Sequence, residues 1–382
     1  MGKQIGVSWL ALLALVWLQA SAHAAEPIRI GAIFSVTGPA SFLGEPERNT
    51  AKMLEEDFNK AGGLLGRKVE VTVYDDESDA TKAVTAVDRL IKRDRVVAVI
   101  GPSTSGSTLA IVPKVEEAKL PLISCAAAKK IVEPVKRWVF KTPQSDALAV
   151  RKIYQHAKKA GLGKIAVLTA SDAFGAAGRE ELKDVAAQVG MTIVADEVFG
   201  PKDTDMTAQL TRIKGTAAQA IVVWGTNPGP AVIARNRVQL KIGLPLYMSH
   251  GVASPKFIEL AGPENAEGIL LPAGRLIAEG QVPAGHPQKA ILANYIKEYE
   301  SRFKQPTSTF GGYAWDAIML VAQAVKRAQS AEPAAIRDAL EATRGFWGTT
   351  GEYNFSAEDH NGLTEEAFVM VRITKGDWEL LR

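Results

Sequence analysis

Over 382 residues the chain carries 45 basic and 42 acidic side chains, a formal charge of +3 at pH 7, with 47% hydrophobic residues. That balance excludes the clustered basic face of a nucleic-acid or anionic-membrane binder, and a single cysteine excludes a disulfide within the chain. The length exceeds one ordinary hydrophobic core and points to two domains.

Residues 1–24 read as an export address. Lys3 is the only charged side chain before Glu26, Ile5 to Leu18 is a largely apolar run, and Ala22-His23-Ala24 supplies the small-x-small cleavage pattern. The run is short for a bilayer core, which needs about 20 apolar residues. No cysteine precedes Cys125, so the signal lacks a lipid-anchor site. The expectation is a soluble product, cleaved near Ala24.

After the signal, short β-branched runs alternate with amphipathic stretches. Ile28 to Phe34, Val69 to Tyr74, Val96 to Ile100 and Leu120 to Ser124 predict buried strands; Glu47 to Ala61, Ala80 to Arg93 and Thr108 to Ala118 predict helices. That alternation implies βαβ units and a parallel sheet. The pattern restarts after Thr142-Pro143. Strands are predicted at Lys164 to Thr169, Thr192 to Val198, Ala220 to Trp224 and Pro245 to Met248. Their helices are Ala147 to Ala160, Gly178 to Val189, Met206 to Ile213 and Pro230 to Gln239. Three helices without strands of their own follow: Gln288 to Phe303, Gly311 to Arg327 and Pro333 to Thr343. The segment from Gly351 to Arg382 returns to strand-like runs, clearest at Phe368 to Ile373.

The expected architecture is α/β, with two Rossmann-like parallel-sheet lobes joined by three crossovers. The first lobe is assigned 25–142 plus 272–343, the second 143–271 plus 344–382. Crossing segments of this kind can absorb a rigid-body closure.

The sharpest local feature is Gly101-Pro102-Ser103-Thr104-Ser105-Gly106-Ser107-Thr108, between a strand and a helix. It matches a phosphate-binding loop except that Ser107 stands where the lysine must be, which argues against nucleotide hydrolysis. Free N–H groups and the positive end of the helix dipole can still hold a carboxylate. The plainer reading is a cap, with Thr104 or Ser105 closing its own helix.

Catalysis has no candidate constellation. There is no G-x-S-x-G elbow, Gly161-Leu162-Gly163 precedes a strand instead of following one, and five histidines form no metal-ligand spacing. Cys125, among alanines at a strand end, reads as a small buried filler. A non-enzymatic protein with no cofactor and no metal is expected.

Several short segments carry a resemblance in their order and spacing. They are Ile30-Gly31-Ala32 to Thr37-Gly38-Pro39, Asn59-Lys60-Ala61-Gly62-Gly63, Tyr74-Asp75-Asp76, Val99-Ile100-Gly101-Pro102, Phe174-Gly175, Glu267-Gly268 and Tyr313-Ala314-Trp315-Asp316-Ala317. With them the chain resembles the periplasmic branched-chain amino acid (Leu/Ile/Val) binding proteins of ATP-driven (ABC) importers, of type I periplasmic binding fold. The resemblance implies a periplasmic monomer that closes two lobes over a small carboxylate ligand. Its partners would be an inner-membrane permease and ATPase. A periplasmic sensor using the same closure is the alternative.

The resemblance also assigns site residues. Ser105 matches the serine that holds the ligand carboxylate, in a loop that also contributes Thr104. Ala126 to Ala128 match the next contact loop; Ala128 stands where a threonine hydroxyl usually assists, leaving the backbone N–H groups of Ala126 and Ala128. Phe174 matches the aromatic wall. A family tyrosine falls near Thr226 and Asn227, while Leu43, with Phe42 beside it, and Phe310 match apolar positions.

His250 is the departure, because the family's amino acid binders place an acid there to pair with the ligand's α-ammonium. A buried ammonium without its counter-charge costs several kcal/mol. An apolar or aromatic carboxylate without an α-amino group is therefore favoured, with His250 and Asn227 addressing a ring hydroxyl or keto oxygen. A branched-chain or aromatic amino acid stays open, because Asp172 could supply the charge from another direction.

Overall fold

Strands buried on both faces need helices on both faces, and the chain supplies them twice. The computed structural model describes residues 26–381, so the expected export signal at 1–24 lies outside the described residues. Among the described residues no helix is long and apolar enough to cross a membrane.

The first sheet is built from β1 (Ile28–Phe34), β2 (Val69–Asp75), β3 (Ala98–Ile100), β4 (Leu122–Ser124) and β5 (Val139–Lys141), ordered β2-β1-β3-β4-β5. All its pairings are parallel. Strand alternation sends Ile30, Ala32, Phe34, Ile100, Ile123 and Phe140 into one core, and Ile33, Val99, Leu122 and Val139 into the other. Helices α1 (Ser41–Lys60), α2 (Ala80–Arg89) and α3 (Ser105–Ala118) connect these strands.

The second sheet starts with β6 (Lys164–Ala170), β7 (Thr192–Phe199), β8 (Ala220–Trp224), β9 (Leu246–Met248) and β10 (Leu270–Ala273). Its helices are α4 (Asp146–Lys159), α5 (Ala173–Val189), α6 (Thr207–Lys214), α7 (Gly229–Gln239), α8 (Pro255–Ala261) and α9 (Pro263–Ala266). Leu168, Ile221 and Met248 pack on one face and Val167, Val222 and Tyr247 on the other.

Helices α10 (Lys289–Phe303), α11 (Thr309–Ala328) and α12 (Pro333–Glu341) bring no strands, and α11 and α12 bury their apolar stripes in the first sheet's core. A small hairpin, β11 (Phe346–Trp347) with β12 (Glu352–Tyr353), follows. Finally β13 (Val369–Thr374) and β14 (Asp377–Leu380) extend the second sheet antiparallel, giving β14-β13-β10-β9-β8-β6-β7.

The chain departs from the sequence reading in three respects. Phe346, Tyr353, Phe355, Leu363 and Ala367 belong to the first core, so the last passage to the second core comes at Phe368 instead of at 344. The hairpin is too short to reveal itself by periodicity. Strands β5 and β10 are missing from the sequence reading for the same reason, at three and four residues. Helix α1 begins at Ser41, ahead of Pro46, and α3 and α5 begin at Ser105 and Ala173, several residues before their apolar periodicity sets in. These early first turns border the cavity described next.

Hydrogen bonds tie the crossing segments together. Gln144 Nε2 donates to the Ala367 carbonyl at 3.0 Å, and Tyr313 Oη donates to Gln144 Oε1 at 3.2 Å. Asp316 accepts from the Thr349 and Thr350 N–H groups at 2.6 and 2.9 Å and from Tyr353 Oη at 2.8 Å.

Candidate functional site

The carboxyl ends of both sheets open into one cavity of about 340 Å³, within the range of small-molecule sites. From the first sheet it is lined by the segments after β1, β3 and β4, including Leu43, Ser103 to Ser107 and Cys125 to Ala127, together with Phe310 and Tyr313 of α11. From the second come Asp172 to Phe174 after β6, Phe199 at the end of β7, Thr226 and Asn227 after β8, and His250 and Gly251 after β9. Ligands of parallel α/β sheets bind at this edge, where loops and helix N-termini converge.

The loop after β3 sets the polar end. Gly101 has φ of +86°, and a Cβ there would lie 2.2 Å from the Ile33 carbonyl oxygen, so only glycine fits. Thr104 is the N-cap of α3, its hydroxyl accepting from the Ser107 N–H at 3.3 Å. The N–H groups of Ser105 and Gly106 have no acceptor within the helix, because the first turn of any helix leaves its donors free. Ser105 is the first helical residue and is buried; its hydroxyl oxygen accepts from the Ala128 N–H at 3.3 Å. The expectation that the Ala126 and Ala128 N–H groups are free for a ligand is overturned: the Ala128 N–H is spent on Ser105 and the Ala126 N–H on Ser124 Oγ at 3.0 Å, and Ala128 does not line the cavity.

The aromatic wall is broader than the sequence indicated. Phe174 packs against Trp224 with centroids 5.8 Å apart, while Phe199, Phe310 and Tyr313 face the same space. Phe42 does not line it. It stands behind Phe310, edge to face at 5.6 Å, because α1 turns that side chain onto the next layer.

His250 is 2% exposed and borders the cavity. Phe174, Trp224 and Phe368 surround its ring in edge-to-face contacts of 5.6, 5.7 and 5.4 Å. Burial, reinforced by the Lys141 charge, lowers its pKa to about 3, so the imidazole is neutral. Neither ring nitrogen has a hydrogen-bond partner. Asn227, also buried, leaves both amide atoms unpartnered, whereas Thr226 is only partly buried. Buried polar atoms cost free energy when unpaired, and His250 and Asn227 are the two such side chains of the second sheet that line the cavity.

Asp172 lines the cavity as the N-cap of α5, with Oδ1 accepting from the Gly175 N–H at 2.8 Å. Cys125 sits at the cavity floor, its thiol pushed well up by burial. Lys202 and Tyr313 also line the cavity without being singled out from sequence. Tyr313 lay within a resembling segment, but only α11 docking on the first sheet turns it inward. Among the described residues no group of three or more His, Cys, Asp or Glu side chains could hold a metal ion.

Comparison with known proteins agrees with the fold. The family described as periplasmic binding protein matches residues 27–377. A leucine-, isoleucine-, valine-, threonine- and alanine-binding protein of Pseudomonas aeruginosa is 26% identical over 350 residues, covering 90% of each chain. An extracellular ligand-binding receptor of Rhodopseudomonas palustris HaA2 superposes with a TM-score of 0.87 at 28% identity, covering 93% of this chain and 99% of that one. The branched-chain amino acid transporter substrate-binding protein LivJ of Streptococcus pneumoniae, solved with isoleucine, gives a TM-score of 0.83 at 27% identity, with 93% and 99% covered.

Proposed function

The chain belongs to the periplasmic binding protein family, and from that premise we propose that it captures a small apolar or aromatic carboxylate lacking an α-amino group. It delivers this ligand to an inner-membrane permease and its ATPase. The observation that carries the reading is His250. A neutral imidazole in an aromatic cage borders the cavity, and the resemblance matches it to a position where amino acid binders carry an acid. It can exchange a hydrogen bond with a ligand but cannot neutralise an ammonium.

The ligand's carboxylate docks at the start of α3, against the Ser105 hydroxyl and the free N–H groups of that turn. Each charge-assisted hydrogen bond contributes about 1.5–3 kcal/mol. The ring or apolar body lies among Phe174, Phe199 and Phe310, where burial adds about 25 cal/mol per Å² of apolar surface. Closure of the second lobe over the first presents the loaded form to the permease, so transport is selective through the open–closed equilibrium.

A branched-chain or aromatic amino acid is the second reading. Asp172 favours it, since one carboxylate oxygen is engaged in capping α5 and the residue borders the cavity. A thermal-shift screen against paired acids and amino acids separates the two, because a ligand of the folded state raises the melting temperature. Shifts confined to acids without the amine support the first reading. Shifts with leucine, isoleucine or valine overturn it.

A further inference from the structure

Behind His250 stands a carboxyl group that no feature of the binding site yet explains. Asp146 opens α4, is fully buried, and does not line the cavity. Neither of its oxygens has a side-chain hydrogen-bond partner, and the Lys129 backbone N–H is the one donor that faces the carboxyl. Its Oδ1 lies 3.8 Å from His250 Nε2, an imidazole that itself has no other partner. The charged groups facing this pair are Lys141 at the end of β5 and Glu181 on α5. Lys141 Nζ donates to the Ala127 and Pro143 carbonyls at 2.9 and 3.0 Å, and Glu181 pairs with Lys129 at 3.4 Å.

A neutral imidazole carries one proton, and the group beside one nitrogen decides what the other can do. If Asp146 is ionised, Nε2–H donates to it and Nδ1 is left as an acceptor. If Asp146 holds a proton, its O–H donates to Nε2 and Nδ1–H becomes a donor. We propose that Asp146 is a positioning residue that fixes the His250 tautomer, and so sets whether this wall accepts from or donates to a second polar group on the bound acid. The nearby Lys141 charge favours the carboxylate. Above neutral pH His250 therefore accepts, and the preferred ligand is a hydroxylated acid over its carbonyl counterpart. The gap of 3.8 Å is longer than a hydrogen bond, so the imidazole and the carboxyl must approach each other when a ligand is bound. Burial raises the Asp146 carboxyl above its ordinary range, so the polarity inverts where that carboxyl takes up a proton.

The ligand class in this inference rests on the reading that the site binds acids without an amine; the tautomer does not. The test has two arms on the mature protein. Nitrogen-15 NMR of labelled histidines, with the His250 signal identified by its loss in His250→Gln, should show the Nε2–H form at pH 8.5. Calorimetry at pH 8.5 with ring-hydroxylated and ring-formylated benzoates should favour the hydroxy acids by about tenfold, the scale of one hydrogen bond. Asp146→Asn should shift the tautomer to Nδ1–H and remove or reverse that preference. The inference is overturned by an Nδ1–H tautomer at pH 8.5 in the wild type, or by an Asp146→Asn variant with unchanged tautomer and unchanged preference. If Asp146→Asn does not fold, the wild type alone decides, and an Nδ1–H tautomer at pH 8.5 overturns the inference. Binding of leucine with none of the benzoates defeats the ligand reading alone, and the NMR arm still decides the role of Asp146.

Discussion

Ser105→Ala separates a ligand contact from a strut. The Ser105 hydroxyl accepts from the Ala128 N–H at 3.3 Å and is buried where α3 meets the cavity. Removing it takes one donor from the bound carboxylate, a loss of about 1.5–3 kcal/mol, or about 10- to 150-fold in Kd. It also strands the buried Ala128 N–H, which costs the ligand-free protein about 1–3 kcal/mol. Isothermal calorimetry with the best acid from the thermal screen reads the first effect, and urea unfolding without ligand reads the second. Stability should fall in both states and affinity should fall beyond it. A variant that is less stable yet binds with unchanged affinity refutes the reasoning. Ser105 would then brace the loop after β4 and the carboxylate would lie elsewhere.

His250→Glu should weaken an acid without an amine by at least about tenfold and admit amino acids, read by the same calorimetry; tighter binding of the amine-free acid would misplace the site. Gly251→Ala should weaken binding more than it lowers the melting temperature. A Cβ there lies 2.8 Å from Phe174 Cε1 and 2.9 Å from the Gly225 carbonyl oxygen, so the aromatic wall must shift; unchanged Kd would contradict it. Stability should also depend on pH through Asp146. Burial raises its carboxyl above the ordinary value of about 3.9, so the folded state holds a proton that the unfolded chain releases. Its contribution is complete below about pH 4 and is lost as pH rises above it. Lys141, lowered by burial, acts oppositely at alkaline pH. Urea unfolding at pH 4.5, 6 and 7.5 should show that decline in the wild type and a flatter one in Asp146→Asn; equal slopes would count against it.

The alternation of β-branched and amphipathic runs was enough to read two parallel-sheet lobes, because burial on both strand faces and one helix face leaves a mark in composition. The loop from Gly101 to Thr108 was legible as a strand-to-helix turn for a related reason: that backbone demands glycine at Gly101 and a capping hydroxyl at Thr104. Ser105, Phe174, Asn227 and His250 were found through a resemblance whose segments keep their order along the chain, and the fold brings them to one cavity.

Tertiary packing alone decided the rest. Phe42 and Leu43 are neighbours in sequence, yet only Leu43 reaches the cavity, since adjacent positions on a helix face different directions. The Ala128 N–H is consumed by Ser105, a bond across 23 residues that no local pattern announces. The hairpin at Phe346–Tyr353 joins the first core because α11 and α12 leave apolar surface there to cover. Asp146 and His250 lie 104 positions apart in sequence but 3.8 Å apart in space. The sequence determined which residues could form strands, helices and the capped turn that opens α3, because those depend on neighbours a few positions away. Which buried polar atoms are left without partners depends on the whole fold, and only the tertiary structure decided it.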